Sequence, residues 1–447
     1  MDIQFKYGKE DLFLQVPDNS KVYTADYPLE NRTAEELLLH SITTPVGGLP
    51  LKQLVQQRKK GHVVIVVSDI TRPIPYRSFL PSLLDSIIKE GVRKEEIILL
   101  VATGMHRPST QEEKTYMFGE LIATNYRIID HQAEDENNLA ALPGKSWSGT
   151  EVRLNRYYVE AGFRILTGLV EPHFMAGFSG GRKAICPGLA SLETIQMFHG
   201  YEFLNNPNAA NAVLEGNPCH LENSSIARLC PADFSINIVL DQHKQLHTII
   251  SGEPFLSHEA TIAYLKERCC KVVDNPADLA ITSCGGYPLD ETFYQCVKGF
   301  VNCLPALKEN GSIIAFGSCT EGIGSSEYES LMKAYSGRID DFLKDIKEKS
   351  FFIKDQWQFQ MQIRVLKKVG INNLHFYTAA IPQKELELLS IHAHAISKGD
   401  MAAAIQLQIN GAVALGKTIA VLPEGPYCSP VIPDIAGKRD AYLFSER

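Results

Sequence analysis

The sequence lacks the features that mark a secreted, membrane-spanning or disulfide-rich protein. No apolar run approaches the roughly 18 residues that suggest a spanning helix. The first residues, MDIQFKYGKEDLFLQVPD, have no basic flank followed by an apolar core. The ten cysteines contain no CxxC pair, and Cys269 and Cys270 are adjacent, an arrangement that rarely forms a bridge. Zinc ribbons and thioredoxin-like redox chemistry are therefore not indicated, and we expect a cytoplasmic protein.

An excess of positive charge is also lacking, since the formal net charge is -8. This balance gives no support for a nucleic-acid or membrane partner, so we expect neither. No G-x-G-x-x-G follows a first strand with an acidic residue downstream, which disfavours a nicotinamide-dependent dehydrogenase. A Walker A loop is excluded at the most glycine-rich stretch, because Arg182 precedes Lys183 and Ala184 follows it.

What the sequence does contain is typical of a soluble enzyme with two α/β domains. It has 447 residues, which is more than one hydrophobic core usually serves. Of these residues, 45% are hydrophobic and 21% are charged, which is ordinary for a globular protein. Short β-branched runs alternate with amphipathic helical stretches, the pattern of mainly parallel sheets. We expect domains at 1–270 and 271–414, a tail at 415–447 that packs back on the first domain, and an active-site cleft between the domains.

Three predicted strands of the first domain end in polar loops. HVVIVV (62–67) precedes SDITRPIP, EEIILLVA (95–102) precedes TGMHRPST, and FRILTGLV (163–170) precedes EPHFMAGFSGGRKAICPG. Ligands bind beyond the carboxyl ends of strands in open α/β sheets. His106 and His173 therefore become a candidate acid/base pair, with Asp69 and Arg72 on the loop SDITRPIP. Taken singly, either histidine is more often a local hydrogen-bonding group.

Two further residues near these loops admit several interpretations. Lys183 fits a surface charge, a phosphate contact or an amine held for covalent attachment. His199 ends the short helix SLETIQMFH, where it fits a helix-dipole contact or a metal ligand. The glycines around Lys183 are consistent with a plain turn, or with backbone lying close to a ligand.

The second domain offers one polar helical face. GGYPLDETFYQCVKG places Tyr294, Gln295 and Lys298 near the start of a helix that we expect Asp290 to cap. These side chains form a plausible carboxylate clamp, and the alternative is an exposed polar face.

Taken together, the stretches resemble the nickel-pincer lactate racemase family. The matching motifs run in order along most of the chain: SDITRPIP (68–75), ATGMHRPST (102–110), EPHFMAGFSGGRKAICPG (171–188) with His199, GGYPLDETFYQCVKG (285–299) and DQWQFQ (355–360). The long central motif is specific.

The resemblance implies a cofactor of nickel and pyridinium-3,5-bisthiocarboxylic acid mononucleotide, supplied by cofactor-synthesis proteins. Lys183 would carry it covalently, and the glycines would let the backbone lie close to its flat ring. His199 would be the protein's nickel ligand. The mononucleotide would be held by the loop residues Asp69, Ile70, Thr71 and Arg72.

The implied reaction is interconversion of D- and L-2-hydroxy acids, with lactate the first expectation. His106 and His173 would exchange the hydroxyl proton while hydride leaves and returns at C2, through a planar 2-keto acid. The expected substrate-binding residues are Arg72, Tyr294, Gln295, Lys298 and Trp357. Two alternatives remain: C2 inversion of a longer acid, such as malate or a sugar acid, and a non-catalytic relative that binds the cofactor.

Overall fold

The computed structural model describes residues 1–348 and 352–432, which form two compact units. The first unit contains residues 27–199 and 216–266. The second contains residues 1–26, 200–215 and the described residues from 267 onward. Both are α/β, so the predicted fold class is confirmed for each unit, while the cleft between them stays a prediction. Among the described residues, no helix is long and apolar enough to cross a membrane.

The first unit is built on a six-stranded sheet with one antiparallel edge strand. Its inner strands are β-branched and buried on both faces; Val63, Ile65 and Val67, for example, are 0% exposed. Continuous β-branched runs of this kind are typical of a parallel sheet covered by helices on both faces. In sheet order the strands are Leu246–Gly252, Phe234–Leu240, Phe163–Leu169, Val63–Ser68, Ile97–Ala102 and Arg127–Asp130.

Helices cover this sheet through apolar stripes. The helix Tyr76–Ile88 buries Leu80, Leu83, Leu84 and Ile87, which recur at helical spacing, in the core formed with the central strands. The α-helices of the described chain are Ala34–Thr43, Leu51–Gln56, Tyr76–Ile88, Gln111–Phe118, Glu120–Asn125, Arg156–Val159, Leu192–Phe198, Tyr201–Asn205, Pro218–Leu229, Pro254–Cys269, Phe293–Asn302, Ser326–Ala334, Ile339–Asp345, Gln356–Val369, Gln383–Leu386 and Lys398–Ala414.

The second unit contains a six-stranded, fully parallel sheet. In sheet order its strands are His392–Ala395, Leu374–Thr378, Leu307–Phe316, Ala277–Ser283, Ile419–Leu422 and Lys21–Val22. The other paired strands of the chain are Asp2–Tyr7 with Glu10–Gln15, Leu139–Lys145 with Glu151–Asn155, Pro172–His173 with Gly177–Phe178, and Cys270–Val272 with Ser429–Val431.

Both ends of the chain depart from the predicted domains. The strand Ile419–Leu422 pairs with Ala277–Ser283, so the described part of the expected tail belongs to the second unit and not to the first. The amino-terminal hairpin also lies there, because Phe5 and Leu14 are buried in that unit's core. Burial of these apolar side chains decides the assignment, and sequence order does not reveal it. Residues 433–447 of the predicted tail lie outside the described residues.

Candidate active site

Asp69 and His106 form a close pair at the carboxyl ends of two neighbouring parallel strands. Asp69 follows Val63–Ser68, and its Oδ2 lies 2.6 Å from Nδ1 of His106, on the loop after Ile97–Ala102. Asp69 also accepts from the backbone N–H and hydroxyl of Thr71. Burial acts to raise the pKa of Asp69, but the hydrogen bonds and the charges of His106 and Arg72 outweigh it and hold that pKa below its usual value.

This contact orients the imidazole. An ionised carboxylate only accepts, so Nδ1 of His106 donates, and the lone pair of the neutral ring is then on Nε2. The His106 side chain is 54% exposed, whereas that of Asp69 is 8% exposed. A buried carboxylate therefore presents a basic nitrogen at the open end of the sheet, as in other oriented histidine bases.

Asp69→Asn should separate this orienting role from folding. Since the amide is no longer an ionised acceptor for Nδ1, we expect kcat to fall about 10–100-fold with little change in KM. Activity is to be normalised to covalently loaded protein, measured by intact mass. Asp85→Asn, at an exposed helical position, is the matched control. Unchanged kcat in the Asp69 variant would remove the orienting role.

His173 and Lys183 form a second close pair, after the adjacent strand Phe163–Leu169. Nε2 of His173 lies 2.7 Å from Nζ of Lys183. The backbone N–H groups of Met175 and Ala176 donate to Nδ1 of His173, each at 3.2 Å. Both ring nitrogens of His173 therefore have polar partners inside the first unit, and these contacts hold the ring in place. The two histidines are thus each held by polar contacts at the carboxyl end of a strand of the same sheet.

The loops that carry these pairs contact each other. The N–H of Gly104 donates to the carbonyl of Gly188 at 3.0 Å, and a Cβ on Gly188 would lie 2.9 Å from Cβ of Ala102. Only glycine permits this approach. The long glycine-rich loop is therefore fixed against the strand that leads to His106.

Two glycines before Lys183 are packed closely inside the first unit, and their approach to a cofactor ring stays a prediction. A Cβ on Gly180 would lie 2.7 Å from Val170, and one on Gly181 would lie 2.6 Å from Cγ of His258. Both residues have positive φ. His258 is itself held by Ser179, whose carbonyl accepts from Nε2 at 2.9 Å.

Gly181→Ala should therefore destabilise the protein by about 3 kcal/mol, because left-handed strain and the clash with His258 add. Gly149→Ala is the control: its φ of +81° imposes strain, but nothing lies within 4 Å of an added Cβ, so we expect a loss of roughly 1 kcal/mol. Free energies of unfolding from urea denaturation measure both. Equal losses would show that contact with His258 does not constrain the loop.

His199 is the metal-ligand candidate and ends the helix Leu192–Phe198, as predicted. It is 8% exposed. Burial lowers its pKa to about 3, and Lys183 and His106 act in the same direction when charged. A metal-binding histidine must be neutral, and this environment keeps the ring neutral at physiological pH. A neutral imidazole, together with the side-chain amine of Lys183 in the same unit, is a set of groups that fits the implied nickel cofactor.

In the second unit, the structure brings Tyr294 and Trp357 together. Nε1 of Trp357 donates to the Tyr294 hydroxyl at 2.9 Å, and the Gln358 amide donates to the Tyr294 carbonyl. Burial raises the pKa of Tyr294 well above its usual value, so its hydroxyl stays neutral. These contacts join the helices Phe293–Asn302 and Gln356–Val369.

Gln295 has a buried acceptor that the protein leaves unused. Its Oε1 is buried without a hydrogen-bond partner among residues 1–348 and 352–432. Such an atom costs about 1–3 kcal/mol unless a ligand donates to it. Lys298 lies on the same helix, partly buried.

Asp290 does not cap this helix, contrary to our expectation. The cap is Thr292, whose side chain accepts from the Gln295 N–H. Asp290 instead accepts from the backbone N–H groups of Gly8 and Ser318. The carboxylate that the sequence pattern assigned to the helix therefore binds the turn of the amino-terminal hairpin at Gly8.

The matches with known proteins agree with these motifs. Residues 7–212 match the lactate racemase N-terminal domain, and residues 272–426 match the lactate racemase C-terminal domain. Lactate racemase of Thermoanaerobacterium thermosaccharolyticum is 34% identical over 371 residues, covering 82% of this chain and 86% of that protein. The lactate racemase of Lactiplantibacillus plantarum is also 34% identical over 371 residues, covering 81% and 86%.

Solved structures show the same relationship. The lactate racemase apoprotein from T. thermosaccharolyticum superposes with a TM-score of 0.84 at 31% identity, covering 97% of this chain and 100% of that one. A Thermotoga maritima protein superposes with a TM-score of 0.66 at 18% identity over 92% and 100%, a similarity of fold alone. The chain therefore belongs to the lactate racemase family of isomerases.

Proposed function

We propose that the protein interconverts D- and L-lactate by moving hydride at C2 while two histidines exchange the hydroxyl proton. The observation that carries this proposal is the pair of imidazoles held at the carboxyl ends of the two strands that flank Val63–Ser68. His106 is fixed through Nδ1 by Asp69, and His173 is fixed through Nδ1 by backbone amides. Two positioned imidazoles, one for each face of a 2-hydroxy acid, are what exchange of the hydroxyl proton requires.

The chain has the residues to hold the nickel-pincer cofactor. His199 offers a neutral, buried imidazole to nickel, and Lys183 offers a nitrogen for covalent attachment. Asp69, Ile70, Thr71 and Arg72 form the loop that would hold the mononucleotide. When bound, the cofactor supplies an acceptor for the hydride of C2.

Substrate recognition requires groups for a carboxylate and a hydroxyl. Arg72 and Lys298 supply cations for the carboxylate, and Oε1 of Gln295 can accept from the substrate hydroxyl. Tyr294 and Trp357 provide a rigid wall beside Gln295. The proposed acid/base residues act at C2 and do not select for the substrate atoms beyond C3. Longer 2-hydroxy acids are therefore the competing substrates.

The test is incubation of loaded protein with separate enantiomers, followed by chiral chromatography. We expect D- and L-lactate each to approach a 1:1 mixture, and D- and L-malate to remain unchanged. Inversion of malate or a sugar acid without inversion of lactate would overturn the substrate assignment. Failure to invert any acid in the panel by protein that carries nickel and the adduct would favour a non-catalytic cofactor-binding protein.

A further inference from the structure

Three histidines of the second unit meet on neighbouring parallel strands, outside the proposed catalytic set. His392 and His394 alternate along His392–Ala395, so they share one face of the sheet. His375, on Leu374–Thr378, is the register partner of His392. One ring nitrogen from each histidine lies within 4.8 Å of the other two. We call these residues the histidine cluster.

We propose that the histidine cluster binds a divalent first-row transition-metal ion of the Zn²⁺ or Ni²⁺ type. Imidazole nitrogen is a ligand that these ions prefer, whereas Mg²⁺ and Ca²⁺ require oxygen ligands, which the three side chains do not offer. Nothing in the proposed racemase chemistry uses this site.

One pair of nitrogens in the cluster has the spacing of a tetrahedral site. With metal–nitrogen bonds of about 2.0–2.1 Å, ligand nitrogens lie about 3.4 Å apart. Nδ1 of His375 and Nε2 of His394 are 3.4 Å apart. His392 is exposed, so its ring can rotate into the third position without displacing core side chains.

Ring stacking holds one of the ligands in place. The ring of Tyr377 stacks on His394 with centroids 4.4 Å apart, which limits rotation of that imidazole. Metal ions bind only deprotonated imidazoles, and oriented ligands bind them better.

Gln408 provides an independent second observation. Its Nε2 lies 2.9 Å from Nδ1 of His375 and donates to it, so that nitrogen carries a lone pair. Its Oε1 is buried and has no hydrogen-bond partner in the described part of the chain. Rotation of the amide would free the His375 lone pair for the metal and turn Oε1 toward the cluster, where it can accept from a metal-bound water.

A metal here would join two adjacent strands to each other. Binding to the folded state alone raises the melting temperature, and the rise grows with the logarithm of the free metal concentration above the dissociation constant. The three imidazoles include no thiolate ligand, so we expect micromolar affinity and not the tighter binding of thiolate sites.

The experiment uses the full chain made with its cofactor-synthesis proteins, and His392→Gln and His394→Gln variants, with exposed His62→Gln as the matched control. Equilibrium dialysis against Zn²⁺ measures metal per chain, and Co²⁺ titration reports coordination through its visible absorption. We expect wild type and the His62 variant to bind one more Zn²⁺ than either cluster variant, with a rise in melting temperature. Equal Zn²⁺ content in wild type and the His392 variant would overturn the site. Because the histidine cluster is outside the catalytic set, racemisation should be unchanged in all four proteins.

Discussion

Protein carrying Lys183→Ala is expected to contain no covalent cofactor and to show no racemisation, even when made with the cofactor-synthesis proteins. Alanine removes the nitrogen that lies 2.7 Å from His173 and that would form the bond to the cofactor. Intact-mass spectrometry reads the first outcome as absence of the mass increment. Chiral chromatography reads the second.

Lys183→Arg makes this test specific for covalent attachment. Arginine retains a positive charge and a hydrogen-bond donor, but its guanidinium stays protonated and does not serve as an acylated amine. We therefore expect the arginine variant to lack the mass increment as well, while exposed Lys60→Ala keeps it. A full mass increment on either Lys183 variant would move the attachment to another residue.

Replacement of either proposed acid/base histidine should have the next largest effect. His106→Gln and His173→Gln are each expected to lower kcat by about 10²–10⁴-fold, the range for loss of a general acid or base. Enantiomers have equal free energies, so kcat/KM must fall by the same factor for D- and L-lactate in each variant. Exposed His40→Gln is the control and should leave both values unchanged.

A single-turnover experiment distinguishes the two histidines. Each variant keeps the histidine that removes the hydroxyl proton from one enantiomer. After acid quenching, we therefore expect each variant to have formed 2-keto acid from that enantiomer and not from the other. The preferred enantiomer should be opposite in the two variants. Equal yields from D- and L-lactate in either variant would remove that histidine from the proposed division of roles.

Sequence reasoning placed the candidate residues at one edge of a sheet because parallel strands share that edge. Asp69, His106 and His173 follow three strands that are neighbours in the sheet, and polar loops after buried runs were sufficient to place them together. Sequence reasoning missed the contact between Asp69 and His106. The sequence shows a carboxylate at one strand end and a histidine at the next, and this pattern alone does not determine a hydrogen bond. Asp69 was assigned to cofactor binding alone.

The errors came from contacts between residues far apart in the chain. Asp290 is 282 positions from Gly8, whose N–H it binds, so the local helix-cap pattern gave the wrong partner. The strand Ile419–Leu422 joins the sheet beside Ala277–Ser283, and no local feature of a proline-rich tail determines that choice. The histidine cluster was overlooked for the same reason, since His375 and His392 are paired only by strand register.

The fate of the hydrogen on C2 tests the central claim most directly. Racemisation of C2-deuterated lactate in ordinary water by loaded protein should give both enantiomers with deuterium retained at C2, because His106 and His173 exchange only the hydroxyl proton. Mass spectrometry after chiral separation measures retention. Replacement of the deuterium by solvent hydrogen during inversion would show that the histidines remove a proton from carbon, and would contradict the account.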